Sequence, residues 1–210
     1  PGKLDIYDNN GELIRNLGNS KAKEFDEYKL GKAELFYIQT DDGINLPAMW
    51  VLPPNFNPNK KYPVLFAVYG APGFVGVRNS FSGYLDRYFL SQSDIIYFEV
   101  DYRGSGYFGG KGKDFAHRNL GKWEINDYSE AVKWLRTKPF VDSTKIGITG
   151  GSYGGYVTCM ALTAGADYFT HGVAEYSVTD WRLYDNVYTE RYMDTPEENP
   201  EGYKNGSALT

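Results

Sequence analysis

Lys145-Ile-Gly-Ile-Thr-Gly-Gly-Ser-Tyr-Gly-Gly-Tyr156 sets the architecture that the rest of this chain must follow. It reads as a short apolar strand, Ile146 to Thr149, followed by a turn of small residues and a helix that begins near Tyr153. Its centre, Gly150-Gly-Ser-Tyr-Gly154, fits the G-x-S-x-G pattern, in which a sharp strand-to-helix turn holds a serine out of the fold. Glycine is needed at both ends of the pattern because side chains there would collide. The pattern predicts that Ser152 is a nucleophile.

The helix after this turn directs its N-terminal amides at the place where an oxyanion would form. The competing interpretation is a glycine-rich strand–helix turn with an incidental serine, since five-residue matches recur by chance. The buried-looking strand before the turn and the apolar helix after it favour the functional interpretation.

Composition limits the classes of protein to which the chain can belong. Its 210 residues, 41% hydrophobic and 23% charged, suit one α/β domain with a sizeable core. A net charge of −5 without a Lys/Arg cluster argues against nucleic acid as a partner. The 19 Tyr, 12 Phe and 4 Trp predict aromatic-lined pockets or a large buried interface. The single cysteine, Cys159, excludes an internal disulfide and is expected to pack as a small hydrophobe.

The first part of the chain has hairpin patterns. Leu4–Tyr7 and Glu12–Leu17 flank a turn, and a polar linker covers Gly18–Glu24. A lone hairpin is marginally stable in water, so this one is expected to belong to a sheet outside the chain. A second hairpin is predicted from Glu34–Thr40 and Asn45–Leu52.

From Pro63 onward apolar strands alternate with helices, which predicts a mostly parallel sheet with helices on both faces. The first strand is continuously apolar, as in strands buried on both faces. Residues 107–122, rich in glycine, are predicted to form an ordered loop. The predicted elements are strands at Val64–Tyr69, Ile95–Val100 and Gly172–Tyr176, helices at Tyr84–Ser91 and Glu124–Lys138, and an aromatic segment at Val178–Met193. Sites in such sheets lie beyond the carboxyl ends of the strands, where Tyr69, Arg103, Ser152 and the segment after Tyr176 fall.

Six blocks of sequence, in order, carry a family resemblance over roughly residues 33–210. They are Leu52-Pro-Pro54 with Lys61-Tyr-Pro63, Val68-Tyr-Gly70 with Pro72, Asp101-Tyr-Arg-Gly-Ser-Gly106, Arg118-Asn-Leu-Gly121 with Glu124 and Asp127, Gly151-Ser-Tyr-Gly-Gly-Tyr156, and Val187-Tyr-Thr-Glu-Arg-Tyr192. With these blocks the chain resembles the prolyl oligopeptidase family of serine peptidases, in its dipeptidyl peptidase IV branch. The resemblance implies an α/β-hydrolase fold joined to a β-propeller. Residues 1–30 would then be the tail of a β-propeller-like domain and a linker, and residues 31–210 the N-terminal part of the catalytic domain, truncated before its last strands.

The resemblance also implies roles for individual residues. Ser152 matches the acylated nucleophile, Tyr69 matches the tyrosine whose hydroxyl donates to the oxyanion, and the backbone N–H of Tyr153 would be the second donor. The positions that match the apolar proline pocket are Tyr153, Val178, Trp181, Tyr184 and Tyr188. Aromatic walls suit proline, a rigid apolar ring without an N–H. Spacing alone favours an amphipathic helix that packs its aromatic stripe into the core, whereas the resemblance favours the pocket.

The chain also departs from the family pattern. The triad order is Ser, Asp, His, and we expect the acid and the base to lie beyond residue 210. His117 and His171 are expected to be structural, and Asp180 and Asp185 to cap or pair locally. Gly151 stands where this branch usually has tryptophan, which predicts a local packing change that leaves the nucleophile untouched.

The resemblance therefore implies a serine exopeptidase that releases N-terminal dipeptides or tripeptides after proline, with the present chain inactive alone. The alternatives left open are an acylaminoacyl-peptidase or esterase of the same fold, and a non-catalytic relative used for protein contacts. Expected partners are a peptide with proline next to the scissile bond and the propeller domain of the parent chain, with no nucleic acid, cofactor or metal. An exposed sheet edge at Gly172–Tyr176 favours a homo-oligomer, and the resemblance favours a periplasmic or membrane-anchored protein.

Overall fold

A computed structural model describes residues 2–20, 27–79 and 86–210. Two sequence predictions therefore fall partly outside the described residues, namely the start of the helix at Tyr84 and positions 21–24 of the linker. Within the described part of the chain, none of the helices is both long enough and apolar enough to cross a bilayer.

Six strands of the described chain form a mixed sheet in the order β3-β4-β6-β5-β7-β8. Their bounds are β3 Lys32–Gln39, β4 Asn45–Leu52, β5 Tyr62–Ala67, β6 Ile96–Val100, β7 Val141–Gly151 and β8 His171–Glu175. β3 pairs antiparallel with β4 and β4 antiparallel with β6, whereas β6, β5, β7 and β8 run parallel to one another. Four neighbouring parallel strands bring their carboxyl ends to one edge, which confirms the predicted sheet.

Helices cover both faces of this sheet. Their bounds are α1 Asp86–Gln92, α2 Gly109–Ala116, α3 Lys122–Arg136, α4 Tyr153–Leu162, α5 Asn186–Met193 and α6 Pro200–Asn205. The larger core contains Phe66, Phe98 and Ile148 from the strands together with buried residues of α3 and α4. A smaller cluster on the other face holds Met49 and Tyr97, against which residues of α1 pack. Side chains of a strand alternate between faces, and each face therefore has its own core.

The prediction that the first central strand is buried on both faces is only half right. In β5, Tyr62, Val64 and Phe66 are buried, whereas Pro63 and Leu65 are half-buried. The face toward α3 and α4 is packed tightly, and the opposite face has the smaller cluster. A continuously apolar run does not distinguish these two degrees of burial.

The prediction of a loop over residues 107–122 is wrong, because this glycine-rich stretch contains the helix α2. Close packing overrides the poor helix propensity of glycine here. A Cβ on Gly112 would lie 2.6 Å from the Cβ of Phe108 and 2.7 Å from the carbonyl oxygen of Arg103, so only glycine fits.

The first hairpin forms as predicted but extends into the predicted linker. Strand β1, Lys3–Tyr7, pairs antiparallel with β2, Leu13–Asn19, so Gly18 and Asn19 belong to a strand. The pair forms a two-stranded sheet of its own. Its apolar side chains at Leu4, Leu13 and Ile14 are exposed.

Candidate active site

Ser152 lies in the sharp turn between β7 and α4. Its backbone has φ 57° and ψ −117°, a conformation that is strained for any residue with a side chain. A Cβ on Gly150 would lie 2.4 Å from the carbonyl oxygen of Val68, and one on Gly154 2.3 Å from the same oxygen. The two flanking glycines are therefore required because the backbone after β5 passes directly beneath the turn, as the pattern predicted.

Hydrogen bonds fix this turn to the neighbouring strand and to its helix. The N–H of Ser152 donates to the carbonyl oxygen of Glu175 at the end of β8, at 3.1 Å. The carbonyl oxygen of Ser152 accepts from the N–H of Tyr156 at 3.0 Å. Tyr153 is the first residue of α4, where N–H groups have no acceptor within the helix. Its N–H is thus the amide adjacent to the serine that can face an oxyanion.

Tyr69, the second predicted oxyanion donor, follows β5 at the same edge of the sheet. Its ring centroid lies 6.4 Å from that of Tyr153 and 4.8 Å from that of Phe74, and 40% of the residue is exposed. The loop after Tyr69 is held by Asp101, whose carboxylate accepts from the N–H groups of Gly76 at 2.8 Å and Val77 at 3.1 Å. Burial raises the pKa of Asp101, and these two bonds oppose that rise.

The aromatic residues predicted for the pocket form one continuous cluster. The Trp181 ring stacks on Tyr188 at 6.0 Å and lies 5.5 Å from Tyr153, and Tyr184 lies 5.6 Å from Tyr188. Trp181 is 1% exposed and belongs to the core, whereas Tyr184 is 44% exposed. Val178 packs half-buried against the same core. The inner side of this segment is therefore core, as spacing alone predicted, and its outer side is exposed. The pocket for proline stays a prediction.

Glu124, which had no predicted role, lies directly behind the turn. It is fully buried in α3, and its carboxylate accepts from the Tyr153 hydroxyl at 2.5 Å and from the Gly121 N–H at 3.0 Å. Burial, aided by the negative charge of Asp127, raises the pKa of Glu124 to about 7 against the pull of these bonds. The signal available in the sequence was the spacing Gly121-x-x-Glu124, which is that of a helix-capping glutamate.

Arg103 lies at the predicted edge of the sheet but does not serve the site. It is 2% exposed, and its guanidinium donates to Asp127 at 2.7 Å and to Asp42 at 2.7 Å. The guanidinium also lies 4.2 Å from the ring centroid of Trp123. With these partners it links the β3–β4 turn to α3, which is a structural task.

The structure brings neither histidine to Ser152 by any contact among the described residues. His171 begins β8 and pairs with Gly147, so it lies about 13 Å along the strands from the end of β7, at about 3.3 Å per residue. His117 lies 3.9 Å from the carboxylate of Asp194. Asp180 and Asp185 cap helical turns by accepting from the N–H groups of Arg182 and Tyr188, as predicted. Across residues 2–20, 27–79 and 86–210 no three His, Cys, Asp or Glu side chains converge as metal ligands would.

Comparison with known proteins agrees with this architecture. A "Probable dipeptidyl-aminopeptidase B" from Arthroderma otae is 43% identical over 208 residues, which is 99% of this chain and 22% of that protein. A protein of the same name from Uncinocarpus reesii is 46% identical over 203 residues, or 96% of this chain and 21% of that protein. The crystal structure of Porphyromonas gingivalis dipeptidyl peptidase 4 superimposes with a TM-score of 0.92 at 36% identity, covering 100% of this chain and 30% of that one.

The chain thus spans about a fifth of the length of the curated relatives that it matches. The likeness to the solved structure identifies the sheet and its helices as an α/β-hydrolase fold. Residues 79–210, more than half of the chain, match the model of the prolyl oligopeptidase family. The matched range includes Ser152, Glu124 and the aromatic cluster. The chain therefore belongs to the prolyl oligopeptidase family.

Proposed function

We propose that Ser152 is the nucleophile of a serine exopeptidase that releases N-terminal dipeptides or tripeptides after proline. The observation that carries this proposal is the strained backbone of Ser152 at the head of α4, with φ 57°. Strain of this kind persists where the surrounding structure enforces it, and it clusters at active sites. The names of the relatives, which describe dipeptidyl peptidases, support release of a dipeptide in preference to a tripeptide.

In the proposed reaction the Ser152 hydroxyl oxygen attacks the carbonyl carbon of the proline residue. A histidine base takes the hydroxyl proton, and the oxyanion accepts from the Tyr153 N–H and the Tyr69 hydroxyl. The carbon–nitrogen bond then breaks, and the histidine returns the proton to the leaving amine. Water hydrolyses the resulting acyl ester on Ser152. The accessible side of the aromatic cluster, formed by Val178, Tyr184 and Tyr188 over the buried Tyr153 and Trp181, would bury the apolar proline ring.

We propose further that neither His117 nor His171 is the base. Two observations support this. His171 lies at the start of β8, whereas Ser152 lies beside the end of that strand. His117 lies next to the carboxylate of Asp194. Without a base the Ser152 hydroxyl is a weak nucleophile. The 210 residues alone are then inert, and activity belongs to the full-length protein.

The domain organisation of the full-length protein also stays a proposal. Residues 1–30 would end a β-propeller-like domain, and residues 31–210 would open the catalytic domain. The separate β1–β2 sheet with exposed apolar side chains supports this, because an isolated hairpin is marginally stable. The homo-oligomer stays a prediction that analytical ultracentrifugation of the full-length protein would test.

Intact-mass analysis after exposure to a fluorophosphonate probe tests the proposal. We expect stoichiometric labelling of the full-length protein, its loss in Ser152→Ala, and no labelling of the folded 210-residue chain. The full-length protein should also cleave an unblocked glycyl-prolyl amide faster than an N-acyl amino-acid amide or a short acyl ester. Turnover of the ester alone would contradict the post-proline claim, and labelling of the short chain would contradict the claim about the base.

A further inference from the structure

Tyr176 contacts Gly151, the residue before Ser152, whereas the aromatic cluster begins at Tyr153, the residue after it. It follows the last residue of β8, Glu175, whose carbonyl oxygen accepts from the Ser152 N–H. The register pairs Glu175 with Gly151, so Tyr176 leaves the strand directly beside the residue that precedes the serine. Tyr153, which begins the aromatic cluster, is the residue that follows the serine.

The Tyr176 ring occupies the space that a side chain at position 151 would need. A Cβ on Gly151 would lie 2.4 Å from the Tyr176 hydroxyl oxygen and 2.5 Å from its Cζ atom. The ring thus rests on the bare backbone of Gly151. The absence of a side chain at Gly151 is what lets an aromatic ring from another strand take this position next to the serine.

The backbone of Tyr176 has an unfavourable conformation. The residue is 80% exposed, and φ is 37°, in the left-handed region that residues with a side chain avoid. Among the ring contacts of the described residues, none joins Tyr176 to the cluster of Tyr153, Trp181 and Tyr188. Tyr176 continues β8, the edge strand of the described sheet, and shares the exposure of that whole strand. Its strained backbone and its contact with Gly151 are what hold the ring beside the residue that precedes the candidate nucleophile.

We propose that Tyr176 is a specificity-determining residue that packs against the leaving-group side of the peptide substrate. This rests on the proposed function: with the proline ring against the exposed side of the cluster, at Tyr184 and Tyr188, and the carbonyl at Ser152, we place the departing chain over Gly151 and Tyr176. The ring favours an apolar or aromatic side chain on the residue after the scissile bond. The interaction is stacking, so it requires the ring and not the hydroxyl.

The test compares two peptides with the same acyl part, Gly-Pro-Phe-Ala and Gly-Pro-Gly-Ala, on the full-length protein. Tyr176→Ala should lower kcat/KM for the phenylalanine peptide by about three- to tenfold, the value of one aromatic pair, and leave the glycine peptide within about twofold. Tyr176→Phe should retain the wild-type preference. Phe89→Ala is the matched control, because it removes another exposed aromatic from α1, which leads into the amino end of β6.

The labelling rate with a small fluorophosphonate distinguishes a lost contact from a damaged site. We expect Tyr176→Ala to label at the wild-type rate. Equal losses on both peptides, or slower labelling, would mean that Tyr176 only supports the turn, and this proposal would be overturned while the proposed function stands. If the wild-type protein cleaves neither peptide although Ser152 is labelled, the post-proline function fails and this proposal fails with it.

Discussion

The hydroxyl of Tyr153 donates to the buried carboxylate of Glu124 at 2.5 Å, one residue away from the candidate nucleophile. Tyr153 is the first residue of α4, and its backbone N–H is the proposed oxyanion donor. Its ring belongs to the aromatic cluster. Glu124 also accepts from the Gly121 N–H, which fixes the start of α3. One buried carboxyl thus orients two helices and the residue that carries the amide facing the site.

Replacing Glu124 separates the value of its hydrogen bonds from that of its charge. Glu124→Ala leaves the Tyr153 hydroxyl and the Gly121 N–H buried without a partner, and each such group costs about 1–3 kcal/mol. We expect about 2–6 kcal/mol of destabilisation in urea denaturation, and fluorophosphonate labelling of the full-length protein at least about tenfold slower. Glu124→Gln can still bond both groups and should lose less than half as much. Equal losses in the two variants would contradict this expectation, because they would mean that an amide cannot replace the carboxyl in these hydrogen bonds.

The raised pKa of Glu124 makes stability depend on pH. The folded protein holds this proton up to pH about 7, whereas the unfolded chain releases it near the ordinary value of 4.5. The contribution is therefore complete below pH 4.5, falls as the pH rises, and is fully lost above pH 7. At about 1.4 kcal/mol per pKa unit, the loss is about 3 kcal/mol at most.

Denaturation of wild type and Glu124→Gln between pH 4.5 and 8 measures this contribution. The free energy of unfolding of Glu124→Gln, relative to wild type, should rise by a few kcal/mol across that range, since glutamine has no proton to lose. Glu201→Gln, which removes an exposed carboxyl from α6, serves as the control. A difference that stays constant with pH would refute the assignment.

The strained backbone at Ser152 is expected to lower the stability of the folded protein. At φ 57° a residue with a side chain is strained by about 1–3 kcal/mol, whereas glycine adopts this conformation freely. Both Ser152→Gly and Ser152→Ala remove the proposed nucleophile, but only the glycine relieves the strain. We expect Ser152→Gly to be more stable than Ser152→Ala by about 1 kcal/mol, after the greater entropy of the unfolded glycine chain is deducted. A more stable alanine variant would mean that the turn is relaxed.

The guanidinium of Arg103 pairs with one buried and one exposed carboxylate, and the two ion pairs should differ in their contribution to stability. Asp127 is fully buried, whereas 54% of the Asp42 side chain is exposed. Arg103→Met would leave the Asp127 charge without its ion partner and should cost about 3–5 kcal/mol. Asp42→Asn should cost about 1 kcal/mol or less, because solvent screens the exposed pair. Thermal unfolding of the two variants measures both values, and similar shifts would contradict this division.

The sequence predicted those features that depend on local pattern. The turn at Ser152, its two required glycines and the strand–helix alternation follow from small-residue spacing and hydrophobic periodicity, and the structure has them. Helix α2 was missed because its glycines fit by tertiary contact, as at Gly112 against Phe108. Glu124 and Tyr176 were missed for a similar reason. The carboxylate of Glu124 contacts Tyr153, 29 positions away in sequence, and the ring of Tyr176 lies over Gly151, 25 positions away. The capping spacing Gly121-x-x-Glu124 marks Glu124 locally, but no local pattern predicts its contact with Tyr153 or that of Tyr176 with Gly151.

The two adjacent glycines of the turn predict opposite outcomes for the same substitution. A Cβ on Gly150 would meet the Val68 carbonyl oxygen at 2.4 Å, which is backbone that cannot move aside. A Cβ on Gly151 would meet the exposed ring of Tyr176, which can swing into solvent. Gly150→Ala should therefore cost about 3 kcal/mol or more, and Gly151→Ala less than about 1 kcal/mol.

If Gly151→Ala displaces the Tyr176 ring, it should have the same effect on selectivity as Tyr176→Ala. The phenylalanine peptide should lose about three- to tenfold in kcat/KM and the glycine peptide should not. The double variant Gly151→Ala/Tyr176→Ala should then equal Tyr176→Ala, because the same contact cannot be lost twice. Additive losses in the double variant would mean that the methyl group acts on Ser152 itself. Displacement of the Tyr176 ring would then not explain the effect of Gly151→Ala.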